Sequence, residues 1–305
     1  MPTNRQIVKD TITTTTVTNG LLNPSQSRRF LQQTFDATPL QGLIRHELRR
    51  EKTGEIDKIG IASRILRRKT ENVDDGYRAK PNYGAVSYAC TAVRLPWEIT
   101  EETLRENIEG QSHEDTIANL MTRQIGLDTE DLYLNGDTED QSADKDFLGI
   151  NDGWIKQIKN GGHIFDAAAK NAGAMTLDSF YGALKALPNK YNNGNLRWLM
   201  SPARAQDWEQ YLLNKVIDAG GAVPDNVYTA PARIATVEVP AMPDDCILLA
   251  DPKNLVAVNS YNVIIRKTTE GEKAIMQDKR FYVVHFDFDA IIEELDATAA
   301  ITGLK

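Results

Sequence analysis

The sequence predicts an α+β fold, and three observations carry that prediction. A long, capped and strongly acidic helical stretch runs over residues 100–134, and a succession of short apolar strands fills residues 234–288. No regular alternation of strand, helix and parallel strand connects them, so helices pack on sheets that are mainly antiparallel. No internal repeat is visible. A hydrophobic content of 41% and a charged content of 26% exclude a collagen-like or mainly disordered chain. With 305 residues, a compact body hides roughly three quarters of its extended-chain surface, so a substantial core is expected.

Taken in order, the first two dozen residues are polar and Thr-rich, with a turn at Asn19-Gly20. Residues 25–48 then alternate apolar side chains (Phe30, Leu31, Phe35, Leu40, Leu43, Ile44, Leu48) with basic ones, a spacing that predicts one or two short helices interrupted at Pro39. Such an arm has too little apolar surface to be a domain. It must lie on its own body or on a neighbour.

Two extended runs follow. Residues 55–69 place Ile59, Ile61 and Ile65 in near period-two alternation, and residues 84–99 carry Val86, Tyr88, Val93, Leu95, Trp97 and Ile99. Between them, residues 70–83 are rich in Asp, Asn, Gly and Pro. The pattern predicts a long β-hairpin, and residues 45–69 hold 9 basic against 4 acidic side chains, a net of +5. An isolated hairpin is marginal in water, so one this long is expected on a partner surface.

The helical stretch opens at Thr100, an acceptable N-cap, with Glu101 and Glu102 in the positive first turn. Gly110 interrupts it. Ser112 with Asp115 resembles a second capping box, and Ile117, Leu120, Met121, Ile125 and Leu132 form one apolar stripe. The outward face would carry Glu114, Asp128 and Asp131. From residue 98 to 152 there are 16 acidic and 3 basic residues, a local charge of −13 in a chain whose total is −8.

Beyond Gly153, Trp154-Ile155 opens a further module with a Gly161-Gly162 turn. A helix is predicted from Thr176 to Leu187, a buried strand over 196–200, and another helix from Pro202 to Leu213. After a loop with Gly220-Gly221, Pro224 and Pro231, strands are predicted over 234–239, 246–250, 255–258, 262–267 and 281–288. The chain closes on the apolar runs Ala290-Ile291-Ile292 and Ala299-Ala300-Ile301.

The sequence lacks a phosphate-binding Gly-Lys loop, a dinucleotide Gly fingerprint, a nucleophile-elbow Ser and a His-Glu-x-x-His helix. Strand alternation puts His285, Asp287 and Asp289 on one face and Phe286 and Phe288 on the other. One imidazole and two carboxylates could hold a divalent ion for a metal-dependent hydrolase, but a strand with one solvated and one aromatic face explains the same spacing. The oxygen-rich loop at 135–146 (Asn135, Asp137, Glu139, Asp144, Asp146) lacks the turn Gly and closing Glu of a calcium-binding EF-hand and is expected to be a solvated acidic loop. No cofactor or metal is predicted.

Cys90 and Cys246 sit in small or apolar surroundings and are expected as buried thiols in a reducing compartment. The chain offers no membrane span and no apolar secretory core at its start, so it is expected to be made in cytoplasm. A pI of 5.2 argues against a dedicated nucleic-acid binder. Arg64, Arg67, Arg68 and Lys69 on the basic hairpin lack interleaved aromatics for base stacking. They read either as a solvated edge or as one half of a self-complementary pair, whose other half is the acidic helix (Glu114, Asp128, Asp131) of the next copy.

The order of these parts resembles a family. A polar arm and basic hairpin lead through Leu95-Pro96-Trp97-Glu98-Ile99-Thr100 into an acidic helix ending Leu132-Tyr133-Leu134-Asn135-Gly136-Asp137. Then come Phe147-Leu148-Gly149-Ile150 and, near the end, Phe286-Asp287-Phe288-Asp289-Ala290-Ile291. Over essentially its full length the chain resembles the major capsid proteins of tailed bacteriophages, whose Hong Kong phage capsid fold bacterial encapsulins share.

The resemblance implies an N-terminal arm (1–48) and an extended loop (49–93) overlapping a neighbour. It further implies a peripheral domain with a spine helix (94–150 and 259–290) and an axial domain (151–258 and 291–305). It implies self-assembly into pentamers and hexamers of an icosahedral virion shell around DNA, put together in the bacterial cytoplasm, with non-specific DNA contact. A separate scaffold protein, a portal and decoration proteins are the further partners it brings. An encapsulin-like nanocompartment is the alternative of the same architecture. Some relatives cross-link a loop Lys to a neighbour's Asn beside a Glu; Lys58, Lys69 and Lys80 are available, but no matching Asn and Glu can be placed, so cross-linking is not predicted.

Overall fold

The computed structural model describes residues 38–61, 64–66, 68, 76–106, 112–218, 230–260 and 264–305. The predicted arm helices before Thr38, the break at Gly110 and the Gly220-Gly221 loop lie outside these residues. Along the chain the first elements are β1 (Arg45–Arg49), β2 (Thr53–Gly60), β3 (Asn82–Ala89), β4 (Thr91–Thr100), α1 (Glu101–Glu106) and α2 (Ser112–Asn135). The middle holds α3 (Lys145–Leu148), α4 (Trp154–Gly161), β5 (His163–Asp166), α5 (Ala167–Asn171), α6 (Leu177–Ala186), β6 (Arg197–Met200) and α7 (Pro202–Asp218). The last third holds β7 (Thr236–Glu238), β8 (Cys246–Ala250), β9 (Leu255–Ser260), β10 (Ile264–Thr268), α8 (Glu272–Gln277), β11 (Lys279–Ile292) and β12 (Ala299–Thr302).

Among the described residues three sheets result. The first is organised around the 14-residue strand β11, which pairs antiparallel with β4 along Lys279–Phe288, with β10 along Phe281–His285 and with β9 along Phe288–Ile292. β1 adds to β9 in parallel. The second sheet has the order β5-β12-β8-β6-β7, and all five residues of its central strand β8 are buried. The third is the hairpin β2–β3, in unbroken register from Thr53 opposite Ala89 to Gly60 opposite Asn82.

The sequence reading treated residues 84–99 as one strand of the hairpin; the structure divides it at Cys90. Residues 82–89 pair with β2, whereas residues 91–100 cross into the first sheet beside β11. At the switch the Cys90 N–H donates to the Lys52 carbonyl at 2.7 Å, and its side chain is buried. Alternation continues through the switch because both strands are extended, so periodicity alone does not reveal the change of partner. Residues 45–49 and 255–260 are likewise strands of the first sheet. The resemblance assigns 45–48 to the arm and 255–258 to the axial domain; a parallel pairing across about 200 residues leaves no local signal.

One core joins the first two sheets. Leu132, Tyr133 and Leu134 at the end of α2, Trp154, Ile155 and Ile158 on α4, Leu248 and Ala250 on β8, and Phe288, Ala290 and Ile292 on β11 all pack into it. Trp154 is fully buried, and its indole N–H donates to the Ile291 carbonyl at 3.1 Å. A second core on the other side of β8 gathers Phe180 and Ala183 from α6, Trp198 from β6 and Trp208 from α7. The turn from α2 into α4 is closed by Gly136 and Gly153, where the Gly153 N–H donates to the Gly136 carbonyl at 2.7 Å. A Cβ on Gly153 would lie 2.6 Å from the Leu134 carbonyl oxygen, so only glycine permits the approach.

Helix α2 lies on the first sheet with an unexpected face inward. Thr122, Ile125, Gly126, Thr129 and Glu130 are buried, whereas Leu120, assigned to the apolar stripe by its spacing, is exposed. The inward threonines satisfy their hydroxyls inside the helix, Thr122 on the Ala118 carbonyl and Thr129 on the Ile125 carbonyl, so burying them leaves no orphan donor. Residues 38–44 reach the helix at Gly126, whose carbonyl accepts from Gln41 at 2.8 Å.

Candidate assembly surfaces

The inner half of the hairpin belongs to its own subunit. Ile56, Tyr88 and Cys90 pack with Val256, Val258 and Ile291 of the first sheet. Two carboxylates of β11 hold the base: Asp289 accepts from the Ala89 N–H at 2.7 Å, and Asp287 lies 3.3 Å from the Lys52 ammonium. Farther out, Lys58 reaches Glu294 at 3.1 Å. The outer half is different in kind. Ile59 and Tyr83, opposite each other across the strands, are each 71% exposed, and Leu66 is 93% exposed.

Of the predicted contact residues on the hairpin, Arg64 and Arg68 are exposed, while Arg67 and Lys69 lie outside the described residues. On the helix, Glu114 is half-buried and turned toward the first sheet, where it accepts from Lys267 and, at 2.7 Å, from Arg280. Burial raises the Glu114 pKa, and those cations outweigh it, so the carboxyl sits below its ordinary range. Asp128 accepts from Gln124 and Asp131 from Asn135, each at 2.6 Å. The expectation of an outward acidic face is therefore corrected at Glu114: its charge is used inside the subunit.

The same is true of much of the −13 segment. Lys279 pairs with Glu98 at 2.7 Å, and Arg280 grips Glu101 as well as Glu114. In the loop after α2, the Lys156 ammonium sits 2.7 Å from Asp137, 2.8 Å from Asp152 and 3.2 Å from the Thr138 hydroxyl, with Glu139 at 3.7 Å. The oxygen-rich spacing noted for calcium thus closes around a lysine. None of these four cations lies between residues 98 and 152, so a charge count over the segment misses them all.

His285, Asp287 and Asp289 do alternate along β11, but each carboxylate has its own partners. Asp287 accepts from Ser260 and pairs with Lys52, and Asp289 accepts from two backbone N–H groups. Burial, then Arg266 and Arg94, push the His285 pKa down. Among the described residues no group of three or more His, Cys, Asp or Glu side chains could hold a metal ion. Cys90 and Cys246 are buried free thiols, each pushed up to about 12 by burial. No helix among the described residues is long and apolar enough to cross a membrane.

A surface that the sequence reading did not single out lies at the opposite end of β11. The short helix α8 is held by the buried Ala274 and exposes Ile275 (68%) and Met276 (81%), with Glu270 and Glu272 exposed beside them. The available signal was an apolar pair between two predicted strands, flanked by glutamates.

A long helix laid on a sheet, a projecting hairpin and a second buried sheet place the molecule in a fold class: the Hong Kong phage capsid fold. Over 99% of its length it matches a chain of the solved satellite phage P4 procapsid including size determination (Sid) protein, covering 95% of that chain, with a TM-score of 0.68 and 15% identity. The holo-SrpI encapsulin complex of Synechococcus elongatus PCC 7942 is also similar, with a TM-score of 0.55 and 13% identity over 99% of this chain and 94% of that one. In sequence, the chain is 29% identical over 303 residues to "Putative prophage capsid protein YqbE" of Bacillus subtilis strain 168, covering 94% of this chain and 93% of that protein. No family model matches the chain. The tailed-phage capsid fold that the motifs resemble is the fold of this chain.

Proposed function

We propose that this chain is the major capsid protein of a tailed phage or prophage, whose copies form the pentamers and hexamers of an icosahedral shell around DNA. The observation that carries the reading is the end-to-end likeness to a prophage capsid protein, which covers both chains nearly completely. That relative favours a phage shell over an encapsulin-like nanocompartment, whose fold is shared. The role is structural, not enzymatic. In this reading the sheet around β11 with α2 is the peripheral domain and the sheet around β8 with α6 and α7 is the axial domain. The hairpin is the extended loop, and residues before Thr38 are the arm. A scaffold, a portal and decoration proteins are the partners to seek, and DNA contact is non-specific.

Electron microscopy of the concentrated purified protein, alone and with its genomic neighbours co-expressed, tests the proposal. Closed particles of uniform diameter are the expected result. A protein that remains a small monomer under every such condition overturns it, and particles that enclose one protein cargo instead of DNA favour the nanocompartment.

A further inference from the structure

Four Asn-Gly pairs stand in the chain, beginning at Asn19, Asn135, Asn160 and Asn193. Asn before Gly can cyclise on itself, because glycine has no Cβ to keep its backbone nitrogen away from the preceding carboxamide. Asn19 lies outside the described residues, and the fold treats the other three pairs differently. Asn135 ends α2, and its side-chain amide donates to Asp131 at 2.6 Å and to the Ala241 carbonyl at 2.7 Å. The N–H of the buried Gly136 donates to the Leu132 carbonyl at 3.1 Å. Asn160 and Gly161 are exposed but close the helix α4, where the Gly161 N–H is directed at the carbonyl four residues back.

Asn193 and Gly194 are both exposed, in the loop that leads into β6. Gly194 has a left-handed φ of +81°, and its N–H enters no backbone hydrogen bond among the described residues. The Asn193 Oδ1 accepts from the Asn195 N–H at 3.2 Å. That bond closes a ring of atoms running from Oδ1 through Cγ, Cβ, Cα and C of Asn193 to N, Cα and C of Gly194. The Asn193 Cγ and the Gly194 nitrogen are thus held within one turn, and the donated hydrogen polarises the carbonyl toward attack.

We propose that Asn193 is a self-modification site, where the Gly194 nitrogen converts the carboxamide to a succinimide that opens to aspartate or isoaspartate. Hydroxide takes the proton of the Gly194 amide, and the nitrogen attacks Cγ. The Cγ–Nδ2 bond breaks, and Nδ2 takes a proton from water and leaves as ammonia. Water then opens the imide. Cleavage between nitrogen and Cγ gives aspartate, whereas cleavage between nitrogen and the main-chain carbonyl carbon gives isoaspartate, whose main chain is longer by one atom. No electrons are exchanged, and the reaction needs no second copy of the chain. Either product places a new carboxylate near Lys190, and isoaspartate inserts its extra atom just before Leu196, which seats the loop in the second core.

The full-length chain is aged in mildly alkaline buffer, folded and in urea, and its peptides are followed by mass spectrometry for exchange of NH2 for OH. In the folded chain the Asn193 peptide should convert about tenfold or more faster than those of Asn135 and Asn160, at a rate that rises with pH. In urea the three rates should converge, because the fold alone sets the sites apart. Asn193→Gln, which would have to close a larger ring, should keep the parent's circular dichroism and leave its peptide unconverted. Equal rates at the three sites in the folded chain, rates that stay apart in urea, or a Gln peptide that converts as fast as the Asn one overturns the assignment.

Discussion

Lys156 gathers carboxylates that the sequence spreads over sixteen positions, and it does so from outside the acidic segment. Its hydrogen bond to Asp137 is the main reason that carboxyl lies below its ordinary 3.8. At Asp152 burial pushes upward, but Lys156 and the Thr138 N–H and hydroxyl prevail, and the net direction is again down. A carboxyl with a depressed folded value contributes stability above its unfolded pKa and loses it as pH falls through the folded value. Lys156→Met should therefore raise both carboxyl pKa values and lower stability at neutral pH, and the difference from the parent should shrink below about pH 4. Carboxyl-carbon NMR titration with urea unfolding at two pH values measures this; unmoved Asp137 and Asp152 titrations would refute the role given to Lys156. At this scale the sequence was least legible. Glu114, Asp128 and Asp131 were found as charges on one helix, but their partners were not, because an ion pair such as Lys267 with Glu114 spans 153 positions.

The hairpin is one element with two functions, and its division follows from burial. Ile56 and Tyr88 are 6% exposed and belong to a core with Val256, Val258 and Ile291, while Ile59, three residues farther out and on the opposite face of the strand, is open. Tyr88→Ala should speed amide exchange across β2 and β3 by about tenfold or more without opening the second sheet, whereas Ile59→Ser should leave exchange unchanged. Equal exchange in the two variants would remove the distinction. Alternation made the hairpin legible, and capping residues made the start of the long helix legible. Neither told which strand pairs with which, nor that Thr122 and Thr129 would face inward in place of Leu120. Hydrophobic period assumes that buried means apolar, and a threonine that bonds its own helix escapes that rule.

For the whole molecule, the core under Trp154 makes the two sheets one cooperative body. Trp154 is fully enclosed, packs against Tyr133 with ring centroids 5.5 Å apart, and anchors α4 to β11. Trp154→Ala should cost about 3–5 kcal/mol and weaken both sheets together. Tryptophan fluorescence and far-ultraviolet dichroism should still report one transition, at a lower denaturant midpoint; a midpoint close to the parent's would contradict the shared core. The order of hairpin, helix, module and strands was legible at this scale because each is set off by a local signal, whether alternation, a capping residue or a turn. The interleaving of β1 and β9 was not, since it depends on segments brought together only by folding.

The long strand β11 has a consequence beyond its place in the sheet. With the hairpin anchored at Asp289 and α8 carried next to Lys279, the strand holds the two apart by ten residues, roughly 33 Å. Lengthening the strand by two residues would move its two ends apart by roughly 7 Å while keeping each side chain on its face; lengthening it by one would turn the faces over.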